Sequence, residues 1–157
     1  MMDSAAFRQL STGYASAVDT LDGPAFAALF TPDGEMWVPD LAGGRAPTIC
    51  RAGSAALERI PSGLARYHST HHRVGPAVYA VEGETGTATV TGVAHHLRSL
   101  PDTPTPARPH DPGIDVVWYL RYEDDYRRDA SGWRIARRVL HLKRIEERPV
   151  DHLGPAR

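Results

Sequence analysis

Apolar residues at the start of the chain recur three and four positions apart: Phe7, Leu10, Tyr14, Ala17, Val18 and Leu21. That spacing lays one apolar stripe along a helix, with Asp3 or Ser4 as its N-cap and an end near Thr20. Asp22-Gly23-Pro24 closes this helix and opens a second, with Pro24 in the first turn and Phe26, Leu29 and Phe30 behind it. Thr31-Pro32-Asp33-Gly34 stops the second helix, and Glu35 to Val38 reads as a short strand. Pro39 to Pro47 is a loop, Thr48 to Arg51 a return strand, and Ser54 caps a third helix, Ala55 to Ile60, ended by Pro61 and Gly63.

From Thr70 the period changes from helical to alternating. The run THHRVGPAVYAVEGETGTATVTGVAHHLR has two Val- and Thr-rich arms around Glu82-Gly83-Glu84-Thr85-Gly86, the pattern of a β-hairpin. Each arm carries adjacent histidines at its far end, His71-His72 and His95-His96. Alternation places His72, Val74, Pro76, Val78 and Ala80 on one face of the first arm, and Ala88, Val90, Gly92, Ala94 and His96 on one face of the second. A three-residue turn sets His72 across from His96, and a two-residue turn sets it across from His95. The first is preferred, because it gathers both apolar faces on one side of the sheet. His71 and His95 then point outward, toward solvent or a subunit contact.

A proline-rich loop spans Leu100 to Gly113 and is long enough to serve as a lid. Two long strands follow, Ile114 to Arg128 and Trp133 to Glu147, joined at Asp129-Ala130-Ser131-Gly132. Residues 1–148 are expected to form one domain and 149–157 a loose tail. Helices first and then a mostly antiparallel, strongly curved sheet define the α+β class. A curved sheet closed by helices on one side makes a cone with one deep pocket, where small ligands bind.

Composition narrows the partners. The chain has 157 residues, 18 basic and 19 acidic, for a net charge of -1. No global field favours nucleic acid or an anionic membrane, and the basic stretches Arg127-Arg128 and Arg134 to Arg148 read as a solvated strand face. A single cysteine, Cys50, suits a reducing compartment. The N-terminus lacks a signal-peptide pattern, and no apolar run has the length of a membrane span, so a cytoplasmic protein is expected. Threonines on the outer face of the hairpin suggest a homo-oligomer, a dimer or trimer.

Candidate chemistry centres on the inward histidines. His72 and His96 titrate near neutrality, so each can give and take protons in one apolar pocket. Neither histidine pair can chelate from one strand face, and HExxH and CxxC are absent, so no metal and no cofactor is expected. Asp19 sits near a helix C-terminus, where the dipole disfavours it, so a partner such as a histidine should hold it. Tyr14 shares the helix stripe and can aim its hydroxyl at the pocket, where Tyr14 or Tyr122 is the candidate donor to a substrate carbonyl. Trp37 and Trp118 are candidate pocket walls. Tyr122 and Asp124 share a strand face, with Asp124 supporting either the pocket or a cross-strand arginine such as Arg137.

Three stretches resemble the SnoaL-like group of the NTF2-like superfamily, which includes scytalone dehydratase and polyketide cyclases. They are YASAVDTLDGPAFAALFTPDG, THHRVGPAVYAVEGETGTATVTGVAHH and YEDDYRRDASGWRIARR. The resemblance implies the same α+β cone and places the family's catalytic aspartate on Asp19 and its hairpin histidines on His72 and His96. His71 replaces His72 if the register slips by one. Val18 stands where scytalone dehydratase has a tyrosine, and Trp37 and Val38 stand where it has a second. A weaker likeness to ketosteroid isomerase sets Tyr14 on its oxyanion tyrosine but Val38 on its base, with Asp40 two residues late. The implied activity is that of a cofactor-independent lyase, dehydratase- or cyclase-like, acting on a small, largely apolar cyclic molecule. His96 is the expected base or acid, and Asp19 the support of His72. A non-catalytic ligand- or partner-binding domain, a ketosteroid-isomerase-like isomerase and the small subunit of a ring-hydroxylating dioxygenase are the alternatives on the same fold.

Overall fold

The computed structural model describes residues 2–44, 46–103 and 105–156 of the chain. Helix α1 spans Met2–Asp19, α2 Gly23–Ala28 and α3 Ser54–Leu57, followed by a single 3-10 turn at Pro61–Leu64. The strands are β1 Phe30–Val38, β2 Ile49–Ala52, β3 Ser69–Glu82, β4 Thr85–Ser99, β5 Gly113–Asp129 and β6 Gly132–Val150. They form one six-stranded sheet in the order β2-β1-β6-β5-β4-β3. All neighbours are antiparallel except β1 and β6. The helices pack on the concave face of this curved sheet, so the expected α+β cone is the fold.

The α1 stripe is the reason the helix lies there. Phe7, Leu10, Tyr14, Ala17 and Val18 are all buried. Phe7 stacks on Tyr126 at 4.3 Å between ring centroids and meets Tyr79 and Trp133 at 5.3 and 5.0 Å. Gly86 admits this ring, since a Cβ there would sit 2.8 Å from the Phe7 ring tip. The helix starts at Met2, which places Asp3 and Ser4 inside its first turn and not ahead of it. It ends in a Schellman pattern: the Asp22 amide donates to the Ala17 carbonyl at 2.9 Å, the Leu21 amide to Val18 at 3.4 Å. Leu21 takes the left-handed position with φ 58°. Asp22 then caps α2, accepting from the Ala25 amide at 2.9 Å.

Two expectations at element ends change. Phe30 to Gly34 belong to β1 and not to the end of α2 or a stop, because the Ile135 amide donates to Leu29 and Phe30 pairs with Ile135. The third helix is one turn, Ser54–Leu57, with Gly53 at its N-cap and not Ser54.

The hairpin has a shorter turn than expected and an added bulge. Glu82 pairs directly with Thr85, leaving a two-residue turn with Gly83 at φ 60°. Near the turn, odd positions of β3 therefore oppose even positions of β4, and Tyr79 faces Ala88. The register shifts by one between Val74 and Ala77, at Gly75-Pro76. Proline cannot donate to the ladder, and the bulge accommodates it. Beyond the bulge His72 pairs with Ala94 and Thr70 with His96, so His72 and His96 are diagonal neighbours on one face. The direct pairing of His72 with His96 is thus corrected, as is the inward placement of Val78, which is 77% exposed.

The tail expected to be loose is packed. Leu153 is buried, its amide donates to Asp111 at 2.9 Å, and the Gly154 amide donates to Pro109 at 2.9 Å. These contacts tie the end of the chain to the proline loop, of which Pro104 lies outside the described residues. No helix among the described residues is long and apolar enough to cross a membrane.

Candidate functional site

The concave face holds a cavity of about 360 Å³ between α1, β1, the 39–66 segment and the far ends of β3 to β5. Tyr14, Val18, Met36, Val38, His72, His96, Trp118, Leu120 and Leu140 form its inner wall, and Pro39, Leu41, Arg51, Ile60, Leu64 and Arg66 close its mouth. No described residue of the proline loop lines it. A shallower depression of about 570 Å³ lies on the other face of the sheet, beside Arg73, His95, Tyr119 and Lys143.

Asp19 reaches the cavity wall because α1 ends where β3 begins to face it. One carboxylate oxygen accepts from the His72 Nδ1 at 2.7 Å and from the Thr70 hydroxyl at 2.8 Å. The other accepts from the His72 amide at 2.8 Å. Burial pushes the Asp19 carboxyl up, but the hydrogen bonds from His72 and Thr70 outweigh it and hold the acid below its ordinary range. A carboxylate only accepts, so the His72 Nδ1 carries a hydrogen, and in the neutral ring the lone pair is on Nε2. Side-chain exposure is 8% for His72 and 20% for Asp19, so the pair is sheltered but reachable.

His96 lies beside it, with the two imidazoles edge to face at 5.5 Å. It is buried between Tyr67 and Trp118, with ring centroids at 4.8 and 4.7 Å. Its Nδ1 faces the Val116 carbonyl at 3.0 Å, which fixes the hydrogen there and leaves Nε2 as an acceptor. Burial lowers its pKa from 6.5 to about 4, so it is neutral at physiological pH. This has a consequence for stability. The unfolded chain binds a proton at His96 below pH 6.5 and the folded chain only below about 4, so stability falls as pH drops through that window. The full loss is roughly 3 kcal/mol at most. Urea unfolding of the wild type and His96→Gln at pH 7.5 and 4.5 checks it: the variant should lose less stability on acidification, and equal losses would sink the assignment.

Behind Tyr14 stands a buried ion pair. Arg138 donates to both Asp124 oxygens, from Nε at 2.8 Å and from a terminal nitrogen at 2.6 Å. Tyr126 donates to the same carboxylate at 2.7 Å. The guanidinium is sandwiched between the rings of Tyr14 and Tyr122, at 4.4 and 4.6 Å. The rings of Tyr14 and Tyr122 meet edge to face at 5.4 Å, and burial raises both phenols, so they stay protonated.

Of the residues singled out from sequence, Asp19, His72, His96, Tyr14 and Trp118 thus meet at the cavity. Tyr122 and Asp124 lie beneath its wall and support Tyr14. Trp37 is corrected: it alternates with the cavity-facing Met36, and its indole donates to Glu35 at 3.0 Å away from the cavity. The predicted partner Arg137 is replaced by Arg138. A register shift between Asp125 and Tyr126 moves the pairing by one, and Arg137 instead lies near Glu35 and Asp125, at 3.3 and 3.6 Å. His141 faces Glu123 at 3.1 Å on the outer side. His95 is outward as expected, held by Asp115 at 2.7 Å. Arg51 and Arg66 join the lining with no local sequence signal, because nothing in their pattern connects the 39–66 segment to the hairpin. Among the described residues no group of three or more His, Cys, Asp or Glu side chains is placed to hold a metal ion.

The fold is an α+β cone, with a cavity on its concave face walled by helix α1 and the central strands and an Asp19–His72 pair at that wall. The SnoaL-like domain family matches residues 1–139, and the chain belongs to that family. A comparison with curated proteins finds no significant match. Similar solved structures include a scytalone dehydratase-like protein of Novosphingobium aromaticivorans, 20% identical with TM-score 0.73, the match covering 98% of this chain and 93% of that one. An NTF2-like protein with a cystatin-like fold from the same organism is 26% identical with TM-score 0.66, covering 90% and 82%. A hexachlorocyclohexane dehydrochlorinase of Novosphingobium barchaimii is 14% identical with TM-score 0.71, covering 94% and 90%.

Proposed function

We propose that the protein is a cofactor-independent lyase that removes a proton and a neighbouring leaving group from a small, largely apolar cyclic substrate. The observation that carries this reading is the Asp19–His72 pair, bonded at 2.7 Å with the histidine's Nε2 left free at an apolar cavity. His72, rather than His96, is the base, since the Asp19 carboxylate steadies an imidazolium on His72, whereas burial disfavours the charge that His96 would take up. The names of two structural neighbours, a scytalone dehydratase-like protein and a dehydrochlorinase, both denote eliminations.

In a dehydration, His72 Nε2 takes the hydrogen from the carbon next to a carbonyl. The C–H electron pair becomes the new C=C bond as the C–O bond to the β-hydroxyl breaks. The departing hydroxide takes the proton back from the imidazolium and leaves as water. Asp19 stabilises the imidazolium between these steps. Tyr14, buried and protonated, donates to the carbonyl oxygen as charge develops on it. His96 Nε2 accepts from the substrate hydroxyl and orients it.

A panel of cyclic β-hydroxy ketones tests this reading. The expected result is growth of conjugated-enone absorbance, with slower turnover when the α-carbon carries deuterium. A panel giving neither elimination nor α-hydrogen exchange in D₂O would argue for a binding domain.

A further inference from the structure

The cavity carries a charge imbalance that proton transfer does not use. Two arginines, Arg51 and Arg66, belong to its lining, and no aspartate or glutamate does among the described lining residues. Asp19, behind the wall, is committed to His72 and Thr70. Arg51 pairs with Met36 across β1 and β2 and shares its cavity face. Glu35, one residue away on β1, turns to the other face, where Trp37 and Arg137 hold it. The Arg51 guanidinium donates to the Cys50 carbonyl at 3.2 Å and has no carboxylate partner among the described residues. Arg66 lies over the Tyr67 ring at 5.0 Å and donates to its hydroxyl at 3.2 Å, again with no carboxylate. Arg66 is also near enough to His96 to oppose its protonation.

Beside Tyr14, His72, His96 and Trp118, the lining behind these two cations carries an apolar patch of Val18, Met36, Leu120 and Leu140. A small inorganic anion would leave that wall unfilled. A ring bearing an anion would satisfy both parts, since guanidinium donors match the two oxygens of a carboxylate. We propose that the ligand of this cavity is a cyclic carboxylic acid, its ring against the apolar wall and its carboxylate between Arg51 and Arg66 at the mouth. The inference rests on the reading of the cavity as a substrate site, and not on which reaction follows.

Calorimetric titration of the whole chain with benzoate and with benzamide at low salt tests it. Benzoate should bind at least tenfold more tightly than the neutral amide, and the preference should shrink as salt rises. Arg51→Gln and Arg66→Gln should each weaken benzoate about tenfold and leave benzamide unchanged, while Arg66→Lys should recover part of the loss. Both arginines are exposed, so the variants should keep the wild-type thermal midpoint. Equal binding of acid and amide, no binding of benzoate, or benzoate binding indifferent to both Gln variants would overturn the proposal. Elimination of a neutral ketone with no benzoate binding would remove this inference and leave the lyase reading standing.

Discussion

His72→Ala should lower kcat by roughly 10²–10⁴-fold, the range a positioned general base contributes. The effect falls on kcat more than on KM, because Nε2 acts on a hydrogen that moves only in the transition state. Asp19→Asn should cost nearly as much by a different route. Asparagine keeps an oxygen for the His72 Nδ1, now 2.7 Å from Asp19, but loses the charge that steadies the imidazolium. It also offers an NH₂ group that can donate to the ring nitrogen, turning the imidazole into the wrong tautomer. The two losses should be far from additive, since the residues work as one unit. His96→Gln provides the contrast. It removes a neutral orienting acceptor, so its loss should be smaller and should include KM. Steady-state kinetics of the three single variants and the His72→Ala/Asp19→Asn double, on any substrate the panel yields, decides the matter. Turnover surviving in the double variant would refute the dyad.

The sequence shows this dyad's residues but not their pairing geometry. Alternation along β4 holds for its full length, because Gly86, Ala88, Val90, Gly92, Ala94 and His96 all turn inward with no irregularity against β5. On β3 the same counting succeeds for His72 and fails for Val78, because one bulge at Gly75-Pro76 reverses the faces between them. Proline in a strand was the visible signal. The turn is one residue shorter than the apolar pattern predicts, and the bulge shifts parity once more at the histidine end, so the two departures cancel there. On β5 and β6 an unseen shift moved the partner of Asp124 from Arg137 to Arg138. No proline or glycine marks that shift, and only the packing of Tyr126 beside Ile135 reveals it. The mouth of the cavity was least legible. Arg51 and Arg66 belong to a segment of short elements whose placement depends on long-range packing, not on local period.

Asp124→Ala should be the most destabilising single change in the site, by about 3–5 kcal/mol, against the 5–15 kcal/mol that typical domains possess. Side-chain exposure is 1% for Arg138 and 0% for Asp124, so the substitution leaves a guanidinium buried with no counter-charge. Tyr126 loses its acceptor at the same time. The two tyrosine faces on Arg138 cannot replace a carboxylate, since a ring attracts a cation by only a kcal/mol or two. Removing both charges is a different matter. Asp124→Leu with Arg138→Met substitutes apolar side chains and eliminates the desolvation cost of two ions, so the double should be much closer to wild type than Asp124→Ala is. Urea unfolding measures both, and the double remains informative if the single variant does not fold. A loss below about 1 kcal/mol for Asp124→Ala would show that water or another group screens the arginine. The double should still be a poor catalyst, because Arg138 fixes the ring of Tyr14 at 4.4 Å and Met has no charge with which to hold it. Near-normal stability with reduced turnover would place the pair's value in aligning the phenol at the cavity wall, and near-normal turnover would assign it to the core alone.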